Sequence, residues 1–209
     1  MANHDHSQAE AAVRENRQRY EARRQQFLRH GYDIEAERAF IIDRIRPLAG
    51  RILEVGTGKG HLTVALAGEG VPFTSVDLSA GDQAIARLNL AYHGRQDLVR
   101  LEVADAERLP FPDASFDLVV SANVLHHLAH PETVYGELVR VLAPAGRLAI
   151  SDFNARGLET IDRIHRSEGG GHQTGSGTLR GLRAWLDAKG FTTAEHPGAM
   201  QDTLIARWG

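Results

Sequence analysis

The stretch Arg51-Ile52-Leu53-Glu54-Val55-Gly56-Thr57-Gly58-Lys59-Gly60-His61-Leu62-Thr63 decides how the rest of the chain is read. Ile52, Leu53 and Val55 have strand character, they run into glycines at alternate positions, and an apolar helical pattern follows at once. The reading is strand, glycine turn, helix start. Glycines in such a turn accept positive φ and let a ligand approach main-chain N–H groups that a Cβ would screen. Any tight βα connection could look like this, so the neighbouring segments must say what the turn holds.

Downstream, short apolar runs alternate with helical ones. The spacing predicts a helix over 61–68, a strand over 73–76 ending in Asp77, a helix over 82–92 and a strand over 99–103. After a loop over 105–115 come a strand over 116–121, a helix over 131–142 opened by Pro131, and a turn at Pro144 and Gly146 into a strand over 147–151. Strict alternation implies a parallel sheet covered by helices on both faces. Two last strands, 191–195 and 203–208, are separated by only a few residues, which suits a hairpin and so one antiparallel strand near the C-terminus. The fold class is therefore α/β, a Rossmann-like three-layer α/β/α sandwich on a mostly parallel seven-stranded sheet.

Upstream, residues 1 to about 30 are rich in Arg, Gln and Glu and read as a frayed tail followed by a solvated helix. Asp33 is placed to cap a second helix that buries Ile34, Phe40, Ile41, Ile42 and Ile45 before Pro47. Residues 1–48 are thus expected to form an N-terminal helical cap and residues 49–209 the main domain. Within the main domain, 154–177 is a glycine-rich polar stretch containing Gly169-Gly170-Gly171, too long for an ordinary connection and placed to act as a lid over the substrate. A helix over 179–188 precedes the hairpin.

At 209 residues the chain suits one α/β domain. Its net charge of -3, from 24 basic and 27 acidic residues, provides no field for gathering nucleic acid. The absence of cysteine excludes disulfides, thiolate metal sites and cysteine nucleophiles. With no signal peptide and no bilayer-length apolar run, a cytoplasmic protein without membrane partners is expected, as a monomer or homodimer.

In a doubly wound sheet, ligands sit at the carboxyl ends of the strands near the first glycine turn. Asp77, ending the second strand, is placed to accept hydrogen bonds from both hydroxyls of an adenosine ribose. A dinucleotide fingerprint wants glycine where His61 stands, and a P-loop wants Ser or Thr after Lys59, where Gly60 stands. Both phosphate readings are weakened.

The pattern resembles the class I S-adenosylmethionine-dependent methyltransferases, in particular the broad type 11 small-molecule subgroup. The segments carrying the resemblance are, in order, Leu53 to Gly60, Val76-Asp77-Leu78-Ser79, Ala104 to Phe111, Ser115 to Val119, Leu125-His126-His127-Leu128 and Leu142 to Arg147. The resemblance implies S-adenosyl-L-methionine as cofactor and S-adenosyl-L-homocysteine as product. It assigns Gly56, Thr57, Gly58 and Gly60 to the methionine end and Asp77 to the ribose, and counts Glu54 among the cofactor-binding residues. It places Leu78 against the adenine, Asp105 and Ala106 at its amine, and Asn123 near the amino-acid part. The implied reaction moves a methyl group to an O, N or C atom of a small molecule.

An acceptor that gives up a proton needs a base, and His126 and His127, just past the fourth strand, are the candidates, with His165 a third. Arg166 and His172 in the 154–177 stretch, Asp152 after the fifth strand, and Tyr32, by family habit, are candidate substrate contacts. The spacing of His165, Glu168 and His172 matches no standard metal site, so no metal is expected. The fourth strand ends in Ser121-Ala122-Asn123-Val124, without an Asn/Asp-Pro-Pro-aromatic tetrapeptide, which argues against methylating base or glutamine amines. A nicotinamide-dependent oxidoreductase on a related sheet and a non-catalytic cofactor-binding protein are the alternatives.

Overall fold

The computed structural model describes residues 2–170 and 174–209. Helix α1 (Ala2–Arg29) opens the chain and α2 (Ile34–Ile45) follows; then come β1 (Ile52–Val55), α3 (His61–Gly68), β2 (Phe73–Asp77), α4 (Ala80–Tyr92) and β3 (Val99–Val103). The second half contains β4 (Phe116–Ala122), α5 (Pro131–Val141), β5 (Leu142–Phe153), α6 (Ala155–Ser167), α7 (Leu179–Asp187), β6 (Phe191–His196) and β7 (Gln201–Trp208). The sheet order is β3-β2-β1-β4-β5-β7-β6, with β7 antiparallel to both its neighbours. After β3 the chain returns to the other side of β1, so the strand order reverses between β1 and β4 and opens a crevice at their carboxyl ends.

Alternation along the strands divides the core in two. Leu53 and Val55 of β1 and Val119 of β4 face α5 and α7, in a cluster with Leu138, Val141 and Leu186. Ile52, Leu118 and Val120 face the other way, onto Ile41, Ile45, Leu66 and Leu90 of α2, α3 and α4. All of β1 is buried, which requires helices on both faces. Each fully buried Leu or Ile contributes about 1.5–3 kcal/mol.

The termini of the helices are set by local chemistry. Asp33 accepts hydrogen bonds from the amides of Glu35 and Ala36, capping α2 as its position predicts. Ser79 caps α4 through the Asp82 amide, starting that helix two residues before the expected position. Helix α1 begins at Ala2 rather than after a frayed tail. Its interleaved charges form i,i+4 ion pairs, among them Arg14–Glu10 and Arg17–Glu21. A buried hydrogen bond from Asn16 Nδ2 to Asn89 Oδ1, 2.7 Å, ties α1 to α4.

Two expectations need correction. The strand expected over 147–151 runs from Leu142 to Phe153, and the Pro144–Gly146 turn is a bulge inside it: Phe116 pairs with Leu142, but Leu118 pairs with Arg147. The 154–177 stretch is not an irregular loop, because residues 155–167 form α6. Asn154 Oδ1 caps it at the Gly157 amide, 3.0 Å, and Gly157, Thr160, Ile161 and Ile164 make one narrow buried stripe. Only two of those four are large and apolar, which hides the period.

Gly157 fixes how closely α6 lies to the loop before β7, since a Cβ there would come within 1.9 Å of the Met200 carbonyl oxygen. Gly157→Ala should therefore cost about 1–3 kcal/mol by overpacking and lower the melting temperature by roughly 3–10 °C, read by calorimetry. Ile161 and Ile164 meet Phe27, Tyr32, Ile34 and Met200 in a third cluster that joins α1, α2 and α6 over the carboxyl edge of the sheet.

Candidate active site

The three glycines of the turn do different jobs. Gly56, at φ +93°, could not carry a Cβ, which would lie 2.2 Å from Val124 Cγ2, and a Cβ on Gly60 would lie 2.8 Å from that of Ala86. These two let the turn pack. Gly58, at φ +49°, would meet no protein atom within 4 Å, and it lines a cavity of about 590 Å³ at the β1/β4 crevice. Space is kept there for something else.

Gly56, Thr57, Leu78, Asp105, Ala106 and Asn123 line the same cavity. Asp77 also faces it, with Oδ2 accepting from the Gly58 amide at 2.7 Å and Oδ1 from the Ser79 amide at 2.8 Å. Each carboxylate oxygen keeps a further lone pair for a ligand hydroxyl. Leu78 is 72% exposed, an apolar side chain that a flat ring would cover. Asp105 Oδ1 accepts from the Glu107 amide, 2.9 Å, which aims the carboxylate. Asn123 adopts φ +58°, and its buried Oδ1 has no hydrogen-bond partner among the described residues. A phosphate-free adenosyl amino acid fits this set: the orphaned carbonyl suits an ammonium, the open face of Gly58 a carboxylate, and Asp77 a diol.

Glu54 is not part of the wall. It is fully buried behind the turn, where Ser75 donates to its Oε2 at 2.6 Å and Thr57 Oγ1 lies 2.6 Å from Ser75 Oγ. Burial pushes its carboxyl up to about 7, against the pull of the Ser75 hydrogen bond. A raised carboxyl makes the native state bind the proton more tightly than the unfolded chain, so the stability it adds is fullest below about 4.5 and is lost as the pH rises through about 7. The melting temperature should fall between pH 5 and 8, and Glu54→Gln should remove that slope. An unchanged slope in the variant would place the titration elsewhere.

A second pocket, of about 220 Å³, adjoins the first and shares Arg38, Lys59, His61, Asn123 and His127 with it. His126 reaches it from a short helical turn after β4. Its amide donates to Asp152 Oδ2 at 3.0 Å, and its Nδ1 lies 2.5 Å from Asp152 Oδ1. The Phe153 amide also donates to Asp152 Oδ1, 2.7 Å. A carboxylate held this way fixes the Nδ1–H tautomer, so Nε2 is the basic nitrogen. The His127 ring lies against that of His126, tilted by 47° with centroids 4.0 Å apart.

The remaining candidates divide. His165 of α6 lines the second pocket, as does Tyr32, whose hydroxyl contacts Asn123 and Arg38; Tyr32 faces this pocket and not the larger cavity. Asp152 lies behind His126, 3% exposed, and does not reach the wall. Arg166 points away, its Nε donating to the Asp162 carbonyl. His172 lies outside the described residues. Among the described residues no three His, Asp or Glu side chains gather as a metal site. Sequence reasoning missed Arg38 and Phe153, which carry no motif of their own, and Lys59, which sits in the glycine motif but has no role in it; the three meet only in the folded chain.

The family model described as "Methyltransferase domain" matches residues 53–150. A demethylmenaquinone methyltransferase of Clavibacter sepedonicus is 31% identical over 174 residues, covering 73% of this chain and 70% of that protein. The chain belongs to the class I S-adenosylmethionine-dependent methyltransferases. A further relative of this methyltransferase is the 27-O-demethylrifamycin SV methyltransferase of Amycolatopsis mediterranei, 38% identical over 140 residues, covering 60% of this chain and 51% of its own. The chain spans about half the length of that relative. In three dimensions it is similar to the glycopeptide N-methyltransferase MtfA complexed with S-adenosyl-L-methionine, with TM-score 0.70 and 20% identity over 84% of this chain and 94% of that one. The family sets aside the nicotinamide alternative. No helix among the described residues is long and apolar enough to cross a membrane.

Proposed function

We propose that this methyltransferase is a cytoplasmic enzyme that methylates a hydroxyl-bearing small molecule, with His126 as the base. The observation that carries the reading is the His126–Asp152 pair on a pocket that opens into the Gly58 cavity through five shared residues. Bound cofactor supplies an electrophilic methyl group. Gly56, Thr57, Gly58 and Asn123 hold its amino-acid end, Asp77 its ribose, and Leu78, Asp105 and Ala106 its adenine, while Gly60, which does not line the cavity, packs the turn against Ala86.

His126 Nε2 takes the hydroxyl proton while Asp152 stabilises the imidazolium through Nδ1–H. Tyr32, Phe153 and His127 exclude water and orient the acceptor for in-line attack, and this alignment supplies much of the acceleration. The helices within residues 1–48 cap the site, and α6 acts as the lid that brings His165 over the acceptor. The test is a mass-spectrometric screen of hydroxylated small molecules with S-adenosylmethionine, read as gain of one CH₂ with stoichiometric S-adenosylhomocysteine. Binding of the cofactor with no methylated product across the screen would leave a cofactor-binding protein without turnover.

A further inference from the structure

The acceptor pocket is positively charged. Arg23, Arg38 and Lys59 enter its wall beside His61 and His126, and among the described residues no carboxylate does. Arg23 is neutralised by Glu168, 2.9 Å away. The other two cations are not, since neither Arg38 nor Lys59 has an ion-pair partner among the described residues. Arg38 donates to Gln201 Oε1 at 3.3 Å and touches the Tyr32 hydroxyl, while its Nε is buried with no hydrogen-bond partner. The neighbouring carboxyl, Glu37, makes no ion pair with it and is pushed up by its own burial, against the pull of Arg38.

His61 senses the same field. Burial first, and then Arg38, Lys59 and Arg23, push it down to about 3 and keep it neutral. Leaving a partly buried guanidinium without a counter-charge is costly, and a ligand that supplies one recovers that cost. The cofactor does not supply it in net terms, because its amino-acid end is a zwitterion and its sulfonium adds a positive charge. The missing anion falls to the acceptor. Aromatic rings form much of the wall, with Tyr32 and Phe153 centroids 5.9 Å apart and His126 and Phe153 5.2 Å apart, and Ile34 and Ile161 add apolar surface. The volume of about 220 Å³ is below the usual range for drug-sized ligands.

We propose that the methyl acceptor is a small hydroxylated aromatic carboxylic acid, its carboxylate paired with Arg38 and Lys59 while its hydroxyl faces His126. This rests on the methyltransferase reading above. The guanidinium fork of Arg38 matches a carboxylate in plane, and Lys59, exposed at the junction of the two cavities, is free to close on it. In the reaction the S–CH₃ bond breaks with its electron pair returning to sulfur, an O–CH₃ bond forms, and the proton leaves to His126.

The test titrates 4-hydroxybenzoate and its neutral isostere 4-hydroxybenzamide into the full chain saturated with S-adenosylhomocysteine, by NMR or calorimetry. The acid should bind at least about tenfold more tightly than the amide, and the preference should shrink to within about twofold in Lys59→Gln or Arg38→Gln. Lys59 is exposed, so its variant leaves the fold intact even if Arg38→Gln does not. Equal affinity of acid and amide, or binding of neither, overturns the proposal. So does a result in which both variants weaken S-adenosylhomocysteine but leave the acid preference untouched, because the cations would then serve the cofactor's carboxylate. Failure of S-adenosylhomocysteine to bind the wild type is a separate outcome and would overturn the methyltransferase reading itself.

Discussion

Asp77→Ala is expected to weaken S-adenosylhomocysteine binding by about 10²–10⁴-fold. Two ribose hydroxyls donating to one carboxylate form two charge-assisted hydrogen bonds, each worth about 1.5–3 kcal/mol, and about 1.4 kcal/mol is a factor of ten. Part of the loss comes from the turn, because the variant also frees the Gly58 and Ser79 amides that Asp77 now holds. The two parts separate when the measurement is repeated with a ligand lacking the ribose hydroxyls. That ligand binds the wild type weakly and should lose little more in the variant. An equal loss for both ligands would make Asp77 a brace for the turn and not a ribose contact.

The second large effect is expected at His126. With a hydroxylated acceptor, His126→Ala and Asp152→Asn should each lower kcat by about 10²–10⁴-fold while leaving S-adenosylhomocysteine affinity within about threefold. Neither side chain lines the cofactor cavity, so a binding defect is not expected. Asp152 also accepts from the amides of His126 and Phe153, so its variant should lose some thermal stability as well. For that reason His126→Ala is the cleaner test of the base. Retention of kcat there would mean that the acceptor loses its proton to solvent or to another group, and that the pair serves only to hold the strand end in place.

The fold was legible because its signals are local and repeated: glycine turn, strand-end aspartates, and alternating periods of two and three to four. Gly58, Asp77, Leu78, Asp105 and Asn123 were assigned through the family resemblance, and they line one cavity because each sits at or just after a strand end on the carboxyl edge of the sheet. Glu54 misled because a motif position does not say which side of the turn a side chain takes, and strand alternation turns this one inward. The acceptor pocket was hard to read for a different reason. Its walls come from α1, the α1–α2 joint, α2, the glycine turn with the start of α3, the segment after β4, the end of β5 and α6, which meet only in three dimensions, and α6 itself was masked by a helical stripe half made of Gly and Thr. Asp152 looked like a substrate contact from its strand-end position, but its role is set by the His126 ring lying between it and the pocket.

The central claim is that the space kept open at Gly58 holds the adenosyl cofactor. Calorimetric titration of S-adenosylhomocysteine into the wild type and into Gly58→Val tests it most directly, because a Cβ at Gly58 meets no protein atom within 4 Å and points the added side chain into the cavity, at the cost of some backbone strain at φ +49°. The predicted result is one-to-one binding by the wild type and loss of detectable binding by a variant that still unfolds cooperatively. Near-normal affinity in folded Gly58→Val, or no binding by the wild type, would contradict it.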